Sequence, residues 1–238
     1  MENLELPAGV TVLSGEKRSG KTRFALLWAN YLAQKNKTLF IAWGYYEAKL
    51  IDELRDMNDS ISEKLKIDTQ YNYLDTNTVI DICKQVEDEG YNIVFFDNIQ
   101  YSEYNNLSFH DRNSDIALPN ILEFIADKLV VKVVLVTEVN VVFRFEPKFL
   151  IYPSINNFAF PQHIINKSTQ IYYLQLILGN EKVNKEDILL RLKGIHIHCI
   201  KNAKNEDYHI KYDNNKLKII TAGMLLKYLH IEEDEYDE

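Results

Sequence analysis

The feature that most constrains the fold is the segment from Gly15 to Thr22, which reads GEKRSGKT. It fits the pattern G-x-x-x-x-G-K-[ST] at every fixed position. An apolar run from Val10 to Leu13 precedes it, and apolar residues at helical spacing follow it from Lys21 to Ala33. The sequence therefore predicts a buried strand, a tight loop and an amphipathic helix in direct succession, which is the start of an α/β domain.

Each fixed position of this loop has a physical role in holding a polyphosphate. Gly15 and Gly20 allow backbone angles and close approaches that a Cβ atom would forbid. The loop amides then point inward as an anion nest at a helix N-terminus. Lys21 neutralises the β and γ phosphates, and Thr22 offers its hydroxyl to Mg²⁺. We predict a site for a nucleoside triphosphate, with ATP as the expected ligand, formed by Gly15, Glu16, Lys17, Arg18, Ser19, Gly20, Lys21, Thr22 and Arg23.

Strands and helices continue to alternate up to about residue 140. The periodicity predicts further helices at Glu47–Met57, Thr76–Glu89 and Asp115–Leu129, and buried strands at Thr38–Trp43, Asn92–Phe96 and Val131–Val136. These strands lack apolar and polar alternation, which indicates a parallel sheet covered by helices on both faces. Short strand candidates with little helix between them follow, and we expect some to be antiparallel: Ile171–Ile177, Ile188–Leu192, Ile195–Ile200, Tyr208–Tyr212 and Leu217–Ile219.

A second chemical element is the segment Ile93 to Asp97, which reads IVFFD. Four apolar residues ending in an acid fit a buried strand that delivers a carboxylate beside the glycine-containing loop. That carboxylate would hold Mg²⁺ directly or through water. The predicted metal site therefore consists of Thr22 and Asp97.

Three segments in a fixed order carry a family resemblance. Gly20 to Leu26 reads GKTRFAL, Phe96 to Gln100 reads FDNIQ, and Ile200 to Asn205 reads IKNAKN. They resemble the GKT-x-FAL, I-D-Y-L-Q and A-K-Q-R-N-G segments in the C-terminal ATPase domain of DnaB-type replicative helicases, within the RecA superfamily. The resemblance covers about residues 6–220. It implies one RecA-like P-loop NTPase domain, with a mostly parallel central sheet flanked by helices and a C-terminal antiparallel extension.

The resemblance also implies an activity and its residues. It implies an ATPase that acts on single-stranded DNA as a homo-oligomer, with a ring as the family arrangement. Lys21 takes the catalytic lysine position, and Glu47 is the carboxylate nearest to the place of the family's catalytic glutamate. Glu138 stands where the family has a glutamine that senses the γ-phosphate. Lys201 and Lys204 are the candidates for the basic finger that reaches a neighbouring subunit's site.

Three departures from the family leave an alternative open. Gly44 occupies the aligned position of the catalytic glutamate, Glu138 replaces the glutamine, and Ala203 replaces the arginine of the late motif. Glu47 is equally well explained as a solvated residue in the first turn of a helix. A lysine finger is a poorer bidentate partner for phosphate than an arginine. The alternative function is a nucleotide-binding assembly or regulatory module with slow hydrolysis or none, and we expect no counterpart of the family's collar domain.

The segment from Val141 to Ser168 also has two interpretations. It carries six aromatic residues interleaved with three cations: Phe143, Arg144, Phe145, Lys148, Phe149, Tyr152, Phe158, Phe160 and Lys167. Such a mixture can stack on the bases of single-stranded DNA. The low number of cations favours instead an insert that packs on its own core or on a neighbouring subunit.

Composition limits the partners and the compartment. The net charge of −8 disfavours a protein that covers nucleic acid with its whole surface, although a local basic groove stays compatible with it. Part of the acidity lies in the tail, residues 231–238, which we expect to be solvated. The N-terminus has no pattern of a secretory signal, and no apolar stretch approaches the ~20 residues of a membrane span. We therefore expect a cytoplasmic protein without a membrane partner.

Overall fold

The computed structural model describes the parallel core and most of the strands that follow it. The described residues are 6–15, 19–57, 60–71, 76–97, 126–127, 129–138, 168–178, 192–201, 208–213 and 216–220. Their elements, in chain order, are β1 (Gly9–Gly15), α1 (Lys21–Leu32), β2 (Thr38–Ala42), α2 (Glu47–Met57), β3 (Leu65–Asp68), α3 (Thr76–Glu89), β4 (Ile93–Asp97), β5 (Lys132–Glu138), β6 (Gln170–Leu178), β7 (Leu192–Lys201), β8 (Tyr208–Asp213) and β9 (Lys216–Ile220).

The strands of the described segments form a single sheet in the order β3-β2-β4-β5-β1-β6-β7-β8-β9. The first six of that order, β3 to β6, pair parallel to their neighbours. The pairs β6–β7, β7–β8 and β8–β9 are antiparallel. Because β5 lies between β1 and β4, the strand that leads into the glycine-containing loop and the strand that ends in Asp97 are separated by one strand.

Helices cover both faces of the parallel strands. On one face, α1 and α2 bury apolar side chains against the sheet and form a cluster that we name the α1-side core: Leu13, Phe24, Trp28, Phe40, Leu50, Leu54, Phe95, Val136 and Tyr172 are among its members. On the other face, α3 packs Ile82 and Val86 against β-strand residues such as Val94 and Phe96. Two covered faces explain why these strands are apolar along their whole length.

Trp28 fixes α1 on the sheet. Its side chain is fully buried, and its ring makes edge-on contacts with Phe95 of β4 at 5.8 Å and with Tyr172 of β6 at 5.9 Å. Phe24, one turn earlier in α1, lies 6.0 Å from the same ring. The helix is therefore held across the central strands, and its first turn follows the carboxyl end of β1.

The predicted α/β class, with a parallel central sheet flanked by helices, is confirmed. The three predicted helices α1, α2 and α3 begin at the predicted residues, and the strands β1, β2, β4 and β5 lie within two residues of their predicted bounds. The sequence did not predict β3, a short strand at the sheet edge. The predicted helix Asp115–Leu129 and the predicted strand Ile188–Leu192 lie mostly outside the described residues. Within the part of the chain that the structure describes, no helix has the length and apolarity to cross a bilayer.

Candidate functional site

The loop between β1 and α1 is described at both of its ends. Gly15 is the last residue of β1, and Gly20 is the N-cap residue of α1. Three of the predicted ligand-binding residues, Glu16, Lys17 and Arg18, lie outside the described residues. The geometry of the site can therefore be described at Gly15 and in the segment 19–23.

Gly15 is a position where the structure has room only for a glycine. A Cβ atom built on it would lie 2.6 Å from the carbonyl oxygen of Leu174 and 2.7 Å from Ser19 Oγ. The same atom would lie 3.3 Å from Lys21 Cγ, so the aliphatic part of the lysine passes over this glycine. Ser19 and Lys21 therefore lie together over Gly15 at the end of β1.

Gly20 lets the chain turn into the helix. Its φ of 80° and ψ of 17° lie in the left-handed region, which glycine adopts without a steric penalty. Its carbonyl oxygen accepts the first hydrogen bond of α1 from the Phe24 amide at 2.9 Å. Since the N-cap residue is this glycine, the helix has no cap from the serine, threonine or aspartate that usually stands at the position.

The charges at this helix end are opposite to those that a helix dipole favours. The N-terminus of a helix carries a partial positive charge and stabilises acids in the first turn. The first turn of α1 contains no acid and has Lys21 and Arg23 instead. Lys21 is only 4% exposed, although a buried lysine loses most of its hydration. An anion at this end of the helix would be stabilised by the helix dipole and by the nearby cations.

Two buried polar atoms belong to residues 19–23, at the start of α1. Ser19 Oγ and Arg23 Nε are buried, and neither has a hydrogen-bond partner among the described residues. Both atoms can donate a hydrogen bond. Buried donors are nearly always satisfied in native proteins, and the Ser19 hydroxyl, packed over Gly15 beside Lys21, could donate to a phosphate oxygen.

Asp97 lies on the same face of the sheet as α1. Ile93 and Phe95 of β4 belong to the α1-side core, and side chains two residues apart in a strand share a face. Asp97 ends the strand, is fully buried and pairs in register with Val136 of β5. Since Val136 also pairs with Leu13 of β1, the backbones of Asp97 and Leu13 are about 10 Å apart across β5.

A carboxylate and a hydroxyl are the kinds of donor that Mg²⁺ prefers. Asp97 supplies the first at the carboxyl end of β4, and Thr22 supplies the second in the first turn of α1. The Thr22 hydroxyl lies 3.3 Å from the hydroxyl of Tyr45. Both side chains thus offer the kind of oxygen atom that magnesium takes, and Tyr45 is a neighbour of Thr22 that the sequence did not predict.

Glu47 lines a groove at the β3 edge of the sheet. It is the first residue of α2, its side chain is exposed, and it lines an open groove of about 650 Å³ between α2 and β3. Arg55 and Lys66 line the same groove. The residue after β2 that contacts the loop region is therefore Tyr45, whereas Glu47 faces solvent at the groove.

Glu138 and Lys201 are placed by their backbones. Glu138 is the last residue of β5 and pairs in register with Gly15, so its backbone lies beside the start of the loop. Lys201 ends β7 and pairs with Ile171 of β6, which in turn pairs with Val12. Lys201 therefore lies at the level of Val12, in the middle of β1 and three residues before the glycine that ends this strand.

Other predicted features fall largely outside the described residues. Lys204, the acidic tail and the segment 139–167 are in this group. A further buried acid, Asp68 at the end of β3, accepts hydrogen bonds from the Gln70 amide at 3.0 Å and from Gln85 Nε2 at 3.3 Å. Asp68 thus serves to fix the turn after β3, and its charge adds to burial in raising the pKa of Tyr71.

Comparison of the chain with protein-family models and with curated protein sequences gives no match in either case. The fold is compatible with a RecA-like α/β fold. The likeness to DnaB-type helicases consists of the sequence segments described above.

Proposed function

We propose that this chain binds a nucleoside triphosphate with Mg²⁺ through the loop from Gly15 to Thr22, as a P-loop NTPase of RecA-like type. The observation that carries the proposal is the first turn of α1, which has a buried lysine, a second cation and no acid. A helix N-terminus built in this way is stabilised by an anion with several negative charges. The close packing of Ser19 and Lys21 over Gly15 brings a hydroxyl and a cation to the same end of the helix, where both would bind that anion.

Each residue around the loop has one task in this proposal. The amides at the start of α1 and the Ser19 hydroxyl donate hydrogen bonds to phosphate oxygens. The Lys21 ammonium neutralises charge on the β and γ phosphates, and Thr22 and Asp97 hold the magnesium ion. ATP supplies the phosphoanhydride bond, whose cleavage would need a carboxylate close to the attacking water.

Two activities are compatible with such a site. The first is an ATPase of the DnaB-helicase type that acts on single-stranded DNA as a homo-oligomer, with Lys201 or Lys204 reaching the site of a neighbouring subunit. The second is an assembly or regulatory module that binds ATP and hydrolyses it slowly. The position of Glu47, exposed at the groove between α2 and β3, favours the second activity. In the first activity, Glu138 is the other candidate for the base.

Binding affinities for ATP, ADP and AMP in the presence of Mg²⁺ test the proposed site. We expect ATP to bind at least about 100-fold more tightly than AMP, with ADP in between, because AMP lacks both phosphates assigned to Lys21 and ADP lacks one. Two charge-assisted hydrogen bonds contribute about 3 kcal/mol or more, and 1.4 kcal/mol corresponds to a factor of ten. Isothermal titration calorimetry measures the three constants. Equal affinity for the three nucleotides, or no heat with any of them, contradicts the proposal.

Turnover with and without single-stranded DNA separates the two activities. We expect ATP hydrolysis slower than about 0.1 per second without DNA, since the loss of a general base typically costs 10²–10⁴-fold from ordinary turnover numbers. Release of inorganic phosphate at saturating Mg-ATP measures the rate. A strong increase with DNA that Lys21→Ala abolishes would establish the helicase-type ATPase. Tight ATP binding with no increase would establish the regulatory module.

A further inference from the structure

The hydroxyl groups of Thr22 and Tyr45 form a contact that the motif does not predict. Their oxygen atoms are 3.3 Å apart, and either hydroxyl has the geometry to donate the hydrogen bond. Tyr45 lies in the loop between β2 and α2, and its half-buried ring packs against the α1-side core. The preceding residue, Gly44, has a φ of 76°, a conformation that favours glycine and turns the chain so that Tyr45 faces α1. The phenol is therefore held by the fold at the first turn of α1.

This contact restricts the Thr22 hydroxyl in a way that matters for a metal. A hydroxyl has one proton to donate and two lone pairs to offer. A threonine in a helix commonly turns its proton toward a carbonyl oxygen one turn earlier, which changes the direction of the lone pairs. A proton directed at the Tyr45 oxygen instead fixes the direction of the lone pairs of Thr22, through which a hydroxyl binds a cation. Coordination to a cation polarises the hydroxyl and strengthens this hydrogen bond.

We propose that Tyr45 is a positioning residue that orients the Thr22 hydroxyl toward the magnesium ion of the bound nucleotide. The inference rests on the proposed function, because it concerns the metal of that same site. Groups that hold a metal ligand in place typically change metal affinity 10- to 100-fold when they are removed. Tyr45 thus makes the loop between β2 and α2 responsive to magnesium.

The test is the magnesium dependence of ATP affinity in Tyr45→Phe, which removes one oxygen atom and keeps the packed ring. Calorimetry gives the ATP affinity of each variant in EDTA and at a series of Mg²⁺ concentrations, so each variant has its own metal-free reference. We expect the Mg²⁺ concentration for half of the affinity gain to rise 10- to 100-fold. The matched control is Tyr46→Phe, because Tyr46 is the next residue and is 83% exposed. Its magnesium dependence should equal that of the wild type.

A double variant shows whether the effect passes through Thr22. In Thr22→Val the hydroxyl ligand is gone, so adding Tyr45→Phe should cause no further loss of magnesium dependence. Independent effects would instead multiply. Paramagnetic resonance of Mn²⁺ in the presence of ADP gives a direct reading of metal affinity that does not depend on hydrolysis, and the same order of variants is expected.

The two proposals fail in different ways. If the wild type binds ATP and Tyr45→Phe has the magnesium dependence of the wild type, the positioning role is wrong and the nucleotide site stands. A lower magnesium requirement in Tyr45→Phe also overturns it, because the phenol would then compete with the metal. If the wild type binds no ATP in EDTA or in Mg²⁺, the proposed function fails, and this inference fails with it.

Discussion

Lys21→Ala is expected to weaken ATP binding by about 100-fold or more. Lys21 is only 4% exposed, and its side chain passes over Gly15 at the end of β1. Its ammonium group would make charge-assisted hydrogen bonds to two phosphates, each contributing about 1.5–3 kcal/mol. The substitution removes these bonds and the only buried cation among the described residues of the loop. Calorimetry with Mg-ATP measures the change in the dissociation constant.

Thermal unfolding gives an independent reading of the same substitution. At an ATP concentration 100 times the wild-type dissociation constant, binding stabilises the wild type by about 2.7 kcal/mol. A variant with 100-fold weaker binding gains about 0.4 kcal/mol at that concentration. For a chain of this size the wild-type gain corresponds to a rise of about 5–10 °C in melting temperature.

The control for this prediction is Lys35→Ala. Lys35 is exposed and follows the C-terminal end of α1, so it has the same charge but lies at the other end of the helix. Its removal should leave the ATP-induced rise in melting temperature unchanged. If Lys21→Ala keeps an ATP affinity within about threefold of the wild type, the loop does not hold the phosphates of ATP, and the proposed site is wrong.

The described ends of the segment from Gly15 to Thr22 follow from the sequence, because the pattern of its glycines specifies backbone geometry. Only a glycine fits at position 15, because a Cβ atom there would clash with the Leu174 carbonyl oxygen and with Ser19 Oγ. Only a glycine adopts the left-handed angles at Gly20 without strain. The position of Asp97 at the end of a buried strand was predictable for a related reason. The apolar run before it indicates the strand, and the acid marks where the strand ends.

The side chains after β2 could not be predicted in this way. The sequence offers Tyr45, Tyr46 and Glu47 in a row, and the carboxylate is the chemically obvious choice for a hydrolytic site. Which of them reaches the loop depends on the φ of Gly44 and on the residue where α2 begins. These conformations place Tyr45 at Thr22 and Glu47 in solvent, and no periodicity or motif in the sequence encodes that difference.

The order of the strands in the sheet could not be predicted from the sequence either. The position of β5 between β1 and β4 is a pairing of strands that are far apart along the chain. It depends on which apolar surfaces pack together, because each strand alone has the same apolar character. The edge strand β3 has two apolar residues alternating with Lys66 and Asp68, which is too short a pattern to separate it from a loop.

Trp28→Ala is expected to lower the free energy of unfolding by about 3–5 kcal/mol, because it leaves a large cavity under α1. The ring is fully buried, and its edge-on contacts with Phe95 and Tyr172 contribute beyond the buried area. Domains are stable by only about 5–15 kcal/mol, so this single change would remove a large part of the total. Urea unfolding followed by far-ultraviolet circular dichroism measures the loss without relying on tryptophan fluorescence.

Two further variants accompany this prediction. Trp28→Phe tests whether Trp28 also determines the position of Lys21, and Tyr46→Ala is the control for stability. Trp28→Phe keeps an aromatic ring and should fold, whereas Tyr46→Ala changes an 83% exposed side chain and should alter stability by no more than about 0.5 kcal/mol. Trp28 lies two turns, about 10 Å, along α1 from Lys21. A loss of ATP affinity in folded Trp28→Phe would therefore mean that the packing of α1 on the sheet determines the position of Lys21.

A loss of stability below about 1 kcal/mol in Trp28→Ala would contradict the anchoring role of Trp28, because removing a buried ring of this size from a tightly packed core lowers the free energy of unfolding by more than that.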